Sequence, residues 1–297
     1  MKRSWKIAFL AALFALVSCG GQPPGGNGGG GSGNVAKPND VADVLAAANG
    51  QLFKIEGLLE EVGIPVPMLP FAPFSGGVAA MDTASWNCSD VRVTGNATDA
   101  DRDGIPVNAT YDGRCTWSVS GSGGSASGYW EYQNVNVQDP DDHDPDAGVR
   151  VKGTVVWGIE TADSSVDFTW NIVTHELVKS GGSHNFNYEG SWTISVDSET
   201  YTVNYDMSGT WSPDDPDDPW GNGTMTAEGS FSGTGPDCAG GWSVTFNLNA
   251  LHFADCGIDG GSASYTVTDC GGDTCTLTVN WAGCDNVSYG GSCIGSP

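Results

Sequence analysis

From Asn87 onward, apolar and polar residues alternate with a period of two. Cys115-Thr-Trp-Ser-Val, Val149-Arg-Val-Lys, Val166-Asp-Phe-Thr-Trp-Asn-Ile, Trp192-Thr-Ile-Ser-Val and Tyr201-Thr-Val-Asn-Tyr each send every second side chain to one face. Clusters of Gly, Asp, Ser and Asn separate the runs. Successive side chains of a strand point to opposite faces, so the pattern predicts half-buried strands joined by short turns. The fold class expected is all-β, an antiparallel meander of about ten to twelve strands. Such a meander closes into a barrel or folds into two packed sheets.

The period changes upstream. Val41, Val44, Leu45, Ala48, Leu52, Ile55, Leu58, Leu59 and Val62 recur at intervals of three and four, behind Asn39 or Asp40 as N-cap. This predicts one helix over 39–63, weakened by Gly50 and Gly57 and ended by Gly63 and Pro65. Residues 64–86, with four prolines between Pro65 and Phe74, read as an extended connector. The β region, 87–297, also repeats itself. Thr200-Tyr-Thr-Val-Asn-Tyr205 returns as Thr276-Leu-Thr-Val-Asn-Trp281, and Thr116-Trp-Ser-Val-Ser as Ser191-Trp-Thr-Ile-Ser. Tyr132 and Tyr205 each lead through seven residues to Pro-Asp-Asp, and further pairs keep the same order at shifts of 73 to 78. An internal repeat of about 75 residues, four strands long, accounts for them.

Charge narrows the partners. Eleven Lys and Arg face 36 Asp and Glu, a net −25 over 297 residues, and no base follows Lys179. Neutralising phosphates takes clustered Lys and Arg, so nucleic acid and other polyanions are excluded as partners. Gly, at 44 residues, is about twice its usual share, which points to many turns.

The first residues set the compartment. Met1-Lys-Arg-Ser-Trp-Lys6 is a basic n-region, and Ile7 to Val17 is an apolar run too short to span a bilayer as a permanent helix. It ends Leu16-Val17-Ser18-Cys19-Gly20, which resembles the lipobox of bacterial lipoproteins. The resemblance implies a signal peptide over 1–18, lipidation of Cys19 and, with Gly20 rather than Asp next, the outer membrane or cell surface. The membrane is then a partner through the anchor, and several acyl chains make that anchor stable. Loss of three bases with the signal leaves eight against 36 acids, or −28. Residues 19–38, nearly all Gly, Pro, Ser and Asn at first, form a tether reaching roughly 25 Å.

Eight cysteines remain: Cys88, Cys115, Cys238, Cys256, Cys270, Cys275, Cys284 and Cys293. An even number in an exported chain reads as disulfides. Cys270-Gly-Gly-Asp-Thr-Cys275 lies where two alternating runs meet, so a bridge across that hairpin is expected. Cys88 with Cys115 would be the one pair outside the C-terminal group. A membrane-spanning barrel shares the alternation with its apolar face outward; the anchor, these cysteines and the Ser-Pro end argue against it.

One motif carries chemistry. Asp99-Ala-Asp101-Arg-Asp103-Gly104-Ile105 sets carboxylates at positions 1, 3 and 5, a turn glycine at 6 and a main-chain carbonyl at 7. Hard cations take six to eight such oxygens. The motif resembles the DxDxDG calcium loops of thrombospondin type-3 repeats and EF-hands. The resemblance implies a structural Ca2+ held by Asp99, Asp101, Asp103 and the Ile105 carbonyl. Position 12 is Thr110 and position 9 is Val107, where those families have acids, so Asn108 or Asp112 is expected to complete the shell. Two further tracts, Asp139–Asp146 and Pro213–Pro219, hold five and four carboxylates at equivalent places in the repeat. They are expected to project from one rim, as solvated spacers that keep strand edges from pairing rather than for weak cation capture or attraction of a basic partner.

Catalytic templates mostly fail. His175-Glu176 begins a zinc-protease HExxH, but Lys179 stands where the second His belongs, and no G-x-S-x-G elbow occurs. The reading is an anchored, calcium-stabilised β-protein that binds or scaffolds a protein or carbohydrate without catalysis. Two alternatives stay open: a secreted hydrolase using Glu131, Glu189 or Glu228, and a lipocalin-like carrier of an apolar ligand.

Overall fold

The computed structural model describes residues 85–121, 124–161, 164–284 and 286–294, and eight positions between Val44 and Leu59. Thirteen strands form one sheet. Three are short: β1 (Ser85–Asn87), β2 (Arg92–Asn96) and β13 (Val287–Gly290). Between them run β3 (Asn108–Gly121), β4 (Gly124–Gln138), β5 (Gly148–Thr161), β6 (Ser165–Ser180) and β7 (Ser183–Val196). They continue as β8 (Glu199–Pro213), β9 (Gly223–Gly235), β10 (Cys238–Ala254), β11 (Gly257–Thr268) and β12 (Thr274–Ala282). From β3 to β13 each strand pairs antiparallel with the next, while β1 and β2 share the outer edge of β3. The meander is one continuous sheet rather than two.

The alternation sorts the faces as the sequence requires. Phe168, Trp170, Ile172, Phe186, Tyr188, Tyr205, Met207, Trp211, Phe246 and Leu248 all enter a single core fed by every long strand except the last, against which Trp281 of β12 packs. Outward positions carry Thr, Ser and Asn, with cross-strand hydroxyl pairs at Thr193–Thr202 (3.3 Å), Ser195–Thr200 (3.1 Å) and Thr268–Thr274 (3.1 Å). Among the described residues only Val173, Tyr289 and Ile294 are large exposed hydrophobics. The apolar face therefore points inward, the reverse of a membrane-spanning barrel.

The predicted helix falls largely outside the described residues. Those described, Val44, Ala47, Ala48, Gln51, Leu52, Lys54, Leu58 and Leu59, are helical, and Val44, Ala48, Leu52 and Leu59 join the core. Cys19, the tether and the connector up to residue 84 lie outside the description.

The repeated segments fall on strands four apart: β3 with β7, β4 with β8, β5 with β9, β6 with β10, and β8 with β12. A bulge accompanies them at Val173 in β6 and again at Ala250 in β10, 77 residues on, where Ala250 has φ +48°. Because β4–β5 and β8–β9 turn at the same end of a meander, both acidic tracts share one rim, as expected.

One expectation about the disulfides needs correction. Cys270 and Cys275 do not pair. Hairpin register sets Val267 opposite Cys275 and leaves Cys270 in the turn, so no cross-hairpin bridge can form. Neighbouring turns are joined instead, by Cys238–Cys270 and Cys256–Cys284, while Cys275–Cys293 ties down the C-terminal segment and Cys88–Cys115 the first turn. These four disulfides belong to a protein matured in an oxidising compartment, extracellular or periplasmic.

Glycine serves strands as well as turns. An aromatic ring from the adjacent strand lies over Gly128 (Trp117), Gly190 (Tyr205), Gly209 (Phe186), Gly223 (Trp211) and Gly233 (Trp242). A Cβ at Gly190 would stand 2.4 Å from both the Tyr205 Oη and the Asn171 carbonyl oxygen. Gly190→Ala is therefore expected to cost about 1–3 kcal/mol through forced shifts. Gly182, with open space around its Cβ position, is the control. Equal melting temperatures for Gly190→Ala and Gly182→Ala would show that the rings do not need bare backbone beneath them.

Candidate metal centre

The connection between β2 and β3 winds around its own carboxylates. Asp99 accepts the N–H groups of Arg102 (2.7 Å) and Gly104 (3.1 Å), Asp101 that of Asp103 (3.3 Å), and Asp103 that of Ile105 (2.7 Å). Gly104 has φ +90°, a conformation few side chains tolerate, and a Cβ there would also strike Ala47 at 2.8 Å. Ile105, fully buried, anchors the loop in the core, and Val107 N–H closes it on the Thr98 carbonyl at 2.9 Å.

The first acidic tract folds over this loop. Asp139 donates its N–H to the Pro106 carbonyl (2.9 Å), and Asp142 accepts the Ala100 N–H (2.7 Å). Two carboxylate triplets result: Asp101, Asp103 and Asp139, and Asp99, Asp101 and Asp142. Within each triplet the potential ligand oxygens lie no more than 4.8 Å apart. Asp139 is only 4% exposed, and the Oδ2 atoms of Asp101, Asp103 and Asp139 are all buried with no hydrogen-bond partner.

That arrangement is electrostatically unfavourable as it stands. Burial, opposed by the Ile105 N–H and reinforced by Asp101, Asp139 and Asp99, pushes the Asp103 carboxyl up to about 7. Burial also lifts Asp139 to about 6, with Asp101 and Asp142 adding to it, and raises Asp101. Among the described residues no Lys or Arg ion pair reaches the five carboxylates. Lys54 turns to Asp146, Arg114 to Glu131, Arg150 to Glu176 and Lys179 to Asp144. Buried charge without a partner costs several kcal/mol. An all-oxygen set of this kind suits a hard divalent cation, and lacks the N and S donors usual at zinc. These residues could hold a metal ion.

Asp101 thus meets Asp103 in one triplet and Asp99 in the other, so the three motif acids do not share a single triplet, and Asn108 and Asp112 lie elsewhere. Asn108 Oδ1 accepts from Asn136 (2.7 Å) and Asp112 accepts the Asn134 N–H (3.2 Å), both on the β3–β4 ladder. The missing acids are Asp139 and Asp142, from the tract expected to be a spacer. A signal for them exists: β4 runs antiparallel to β3, so the tract after β4 must return to where the loop enters β3.

The second tract makes no such cluster among the described residues. Its Asp214 bonds His252 Nε2 at 2.8 Å, and Asp259 bonds His252 Nδ1 at 2.5 Å. These two carboxylates, Asp214 first, raise the His252 pKa above its ordinary value. His175 is a core residue: its Nε2 meets Tyr205 Oη (2.8 Å), which also accepts Trp170 Nε1–H (2.5 Å). Glu131 faces Arg114 on the outer face, and Glu189 stands opposite Asp206 in an open outer hollow. Trp130, Trp157, Phe168 and Trp192 stack in series at 5.5–6.3 Å across neighbouring strands. No family model, curated protein or solved structure matches this chain.

Proposed function

We propose that this is an exported, lipid-anchored β-protein of the outer membrane or cell surface, stabilised by Ca2+, that binds or scaffolds without catalysis. The observation that supports it best is the concentration of unpaired chemistry at one rim. Stacked aromatics lie along the inward face, the outer face is polar, and the buried carboxylates converge at one rim in a set suited to a hard cation. Ca2+ is favoured over Mg2+ because the ligands come from two loops and offer bulky, irregularly disposed carboxylates. Of the described groups, Asp101, Asp103 and Asp139 would hold it, with Asp99 and Asp142 alongside. The ion would join the two loops across the rim and neutralise the charge that folding gathers there.

The anchor half of the reading rests on Leu16-Val17-Ser18-Cys19. Fed palmitate should label the wild-type chain and leave it in the membrane fraction. Cys19→Ala should be unlabelled and soluble, with the melting temperature of its β domain unchanged. Label on Cys19→Ala, or none on either chain, would show that the anchor assignment is wrong.

A further inference from the structure

The five carboxylates are not one site. They form two triplets that meet at a single residue, Asp101, and no one ion position takes in all five within the 4.8 Å spread that each triplet keeps. We infer that this rim binds two divalent cations side by side, bridged by the Asp101 carboxylate. The inference rests on the calcium reading above and adds stoichiometry and a second ligand set to it.

The inner position is Asp101, Asp103 and Asp139. Asp139, 4% exposed with an unpartnered buried Oδ2, and the orphan Oδ2 atoms of Asp101 and Asp103 define it. The outer position is Asp99, Asp101 and Asp142, all half-buried. Asp99 and Asp142 already accept backbone N–H groups, from Arg102, Gly104 and Ala100. A carboxylate carries about four lone-pair sites, so these bonds aim the groups and leave room for a metal.

Charge requires the second ion. Five carboxylates around one divalent cation retain three negative charges, and Asp99 and Asp142 remain side by side with Asp101, with no Lys or Arg among the described residues ion-paired to them. A second ion reduces the excess to a single charge, and a bridging carboxylate lets two hard cations share one oxygen-rich wall. The inner ion, held by the more deeply buried carboxylates, is the tighter of the two. The outer one, nearer to solvent, exchanges more readily.

Equilibrium dialysis of the full mature chain against radioactive Ca2+ reads the number directly. Wild type should bind two ions in two affinity steps. Asp142→Asn, at the more open position, should bind one with the tighter step retained. Asp101→Asn should lose both. Folding of each variant is checked by near-UV circular dichroism in saturating Ca2+. A wild-type plateau at one ion overturns the second position and leaves the calcium reading intact, while a plateau at zero overturns both. Two ions that persist in Asp142→Asn place the second ion elsewhere and overturn the bridged arrangement.

Discussion

Stripping divalent cations is expected to lower the melting temperature of the folded domain by about 10 °C, and Asp101→Ala is expected to remove most of that drop. A ligand present at 100 to 1,000 times its Kd stabilises a fold by about 2.7–4.1 kcal/mol. For a β domain of this size each kcal/mol moves the melting temperature by about 2–4 °C. Asp101 is the residue of choice because it belongs to both triplets. The variant also makes a second, less obvious demand. Without cation, Asp101 is repelled by Asp99 and Asp142 and its own Oδ2 is buried and unpartnered, so its removal relieves the stripped protein. Asp101→Ala should melt well below cation-loaded wild type but no lower than stripped wild type. Differential scanning calorimetry of both chains, with and without Ca2+, tests this. A wild-type transition indifferent to Ca2+ would reduce the loop to an acidic turn.

The features visible in the sequence are those whose cause is local. Alternation reports which side of a strand is buried, and the side that Val166, Phe168 and Trp170 share is indeed the core. The DxDxDG spacing reports a loop that turns at Gly104, because only the backbone conformation at that position matters. What could not be read depends on register and on which turns become neighbours. Cys275 has Val267 opposite it only because the turn from Thr268 to Thr274 takes five residues. That count sends Cys270 to Cys238, the first residue of β10 in a different hairpin. Asp139 and Asp142 likewise reach Asp101 only through the length of the β3–β4 hairpin. Asn108 and Asp112, close in sequence, are carried off by the ladder they belong to. The glycine excess reads as turns, yet Gly128 and Gly190 lie within strands, because glycine in a strand declares itself only through the ring laid over it.

Cation-loaded and cation-free protein are expected to respond to acid in opposite directions between pH 7.5 and 5. In the cation-free fold, Asp103 and Asp139 hold their protons up to about 7 and about 6, against about 4 in the unfolded chain. A carboxyl raised by folding contributes stability below its unfolded value and loses it as pH rises through the folded one. Acidification therefore strengthens the cation-free protein, by up to about 1.4 kcal/mol per pH unit for each group titrating. His175 works the other way. Burial lowers its pKa to about 3, so below about 6.5 the unfolded chain takes a proton that the fold refuses. His184, lowered chiefly by burial, acts with His175, and His252, raised by Asp214 and Asp259, acts against it. Two or more carboxyls thus outweigh one imidazole when no ion is present. With Ca2+ bound, the ligand carboxylates stay ionised, His175 is left unopposed, and protons compete with the ion, so stability falls as pH drops. Thermal melts of dialysed and Ca2+-saturated protein at half-unit steps should give slopes of opposite sign, and Asp103→Asn should flatten the cation-free one. Parallel slopes would mean that the buried carboxyls do not titrate with the fold and that the rim is not where its pH response resides.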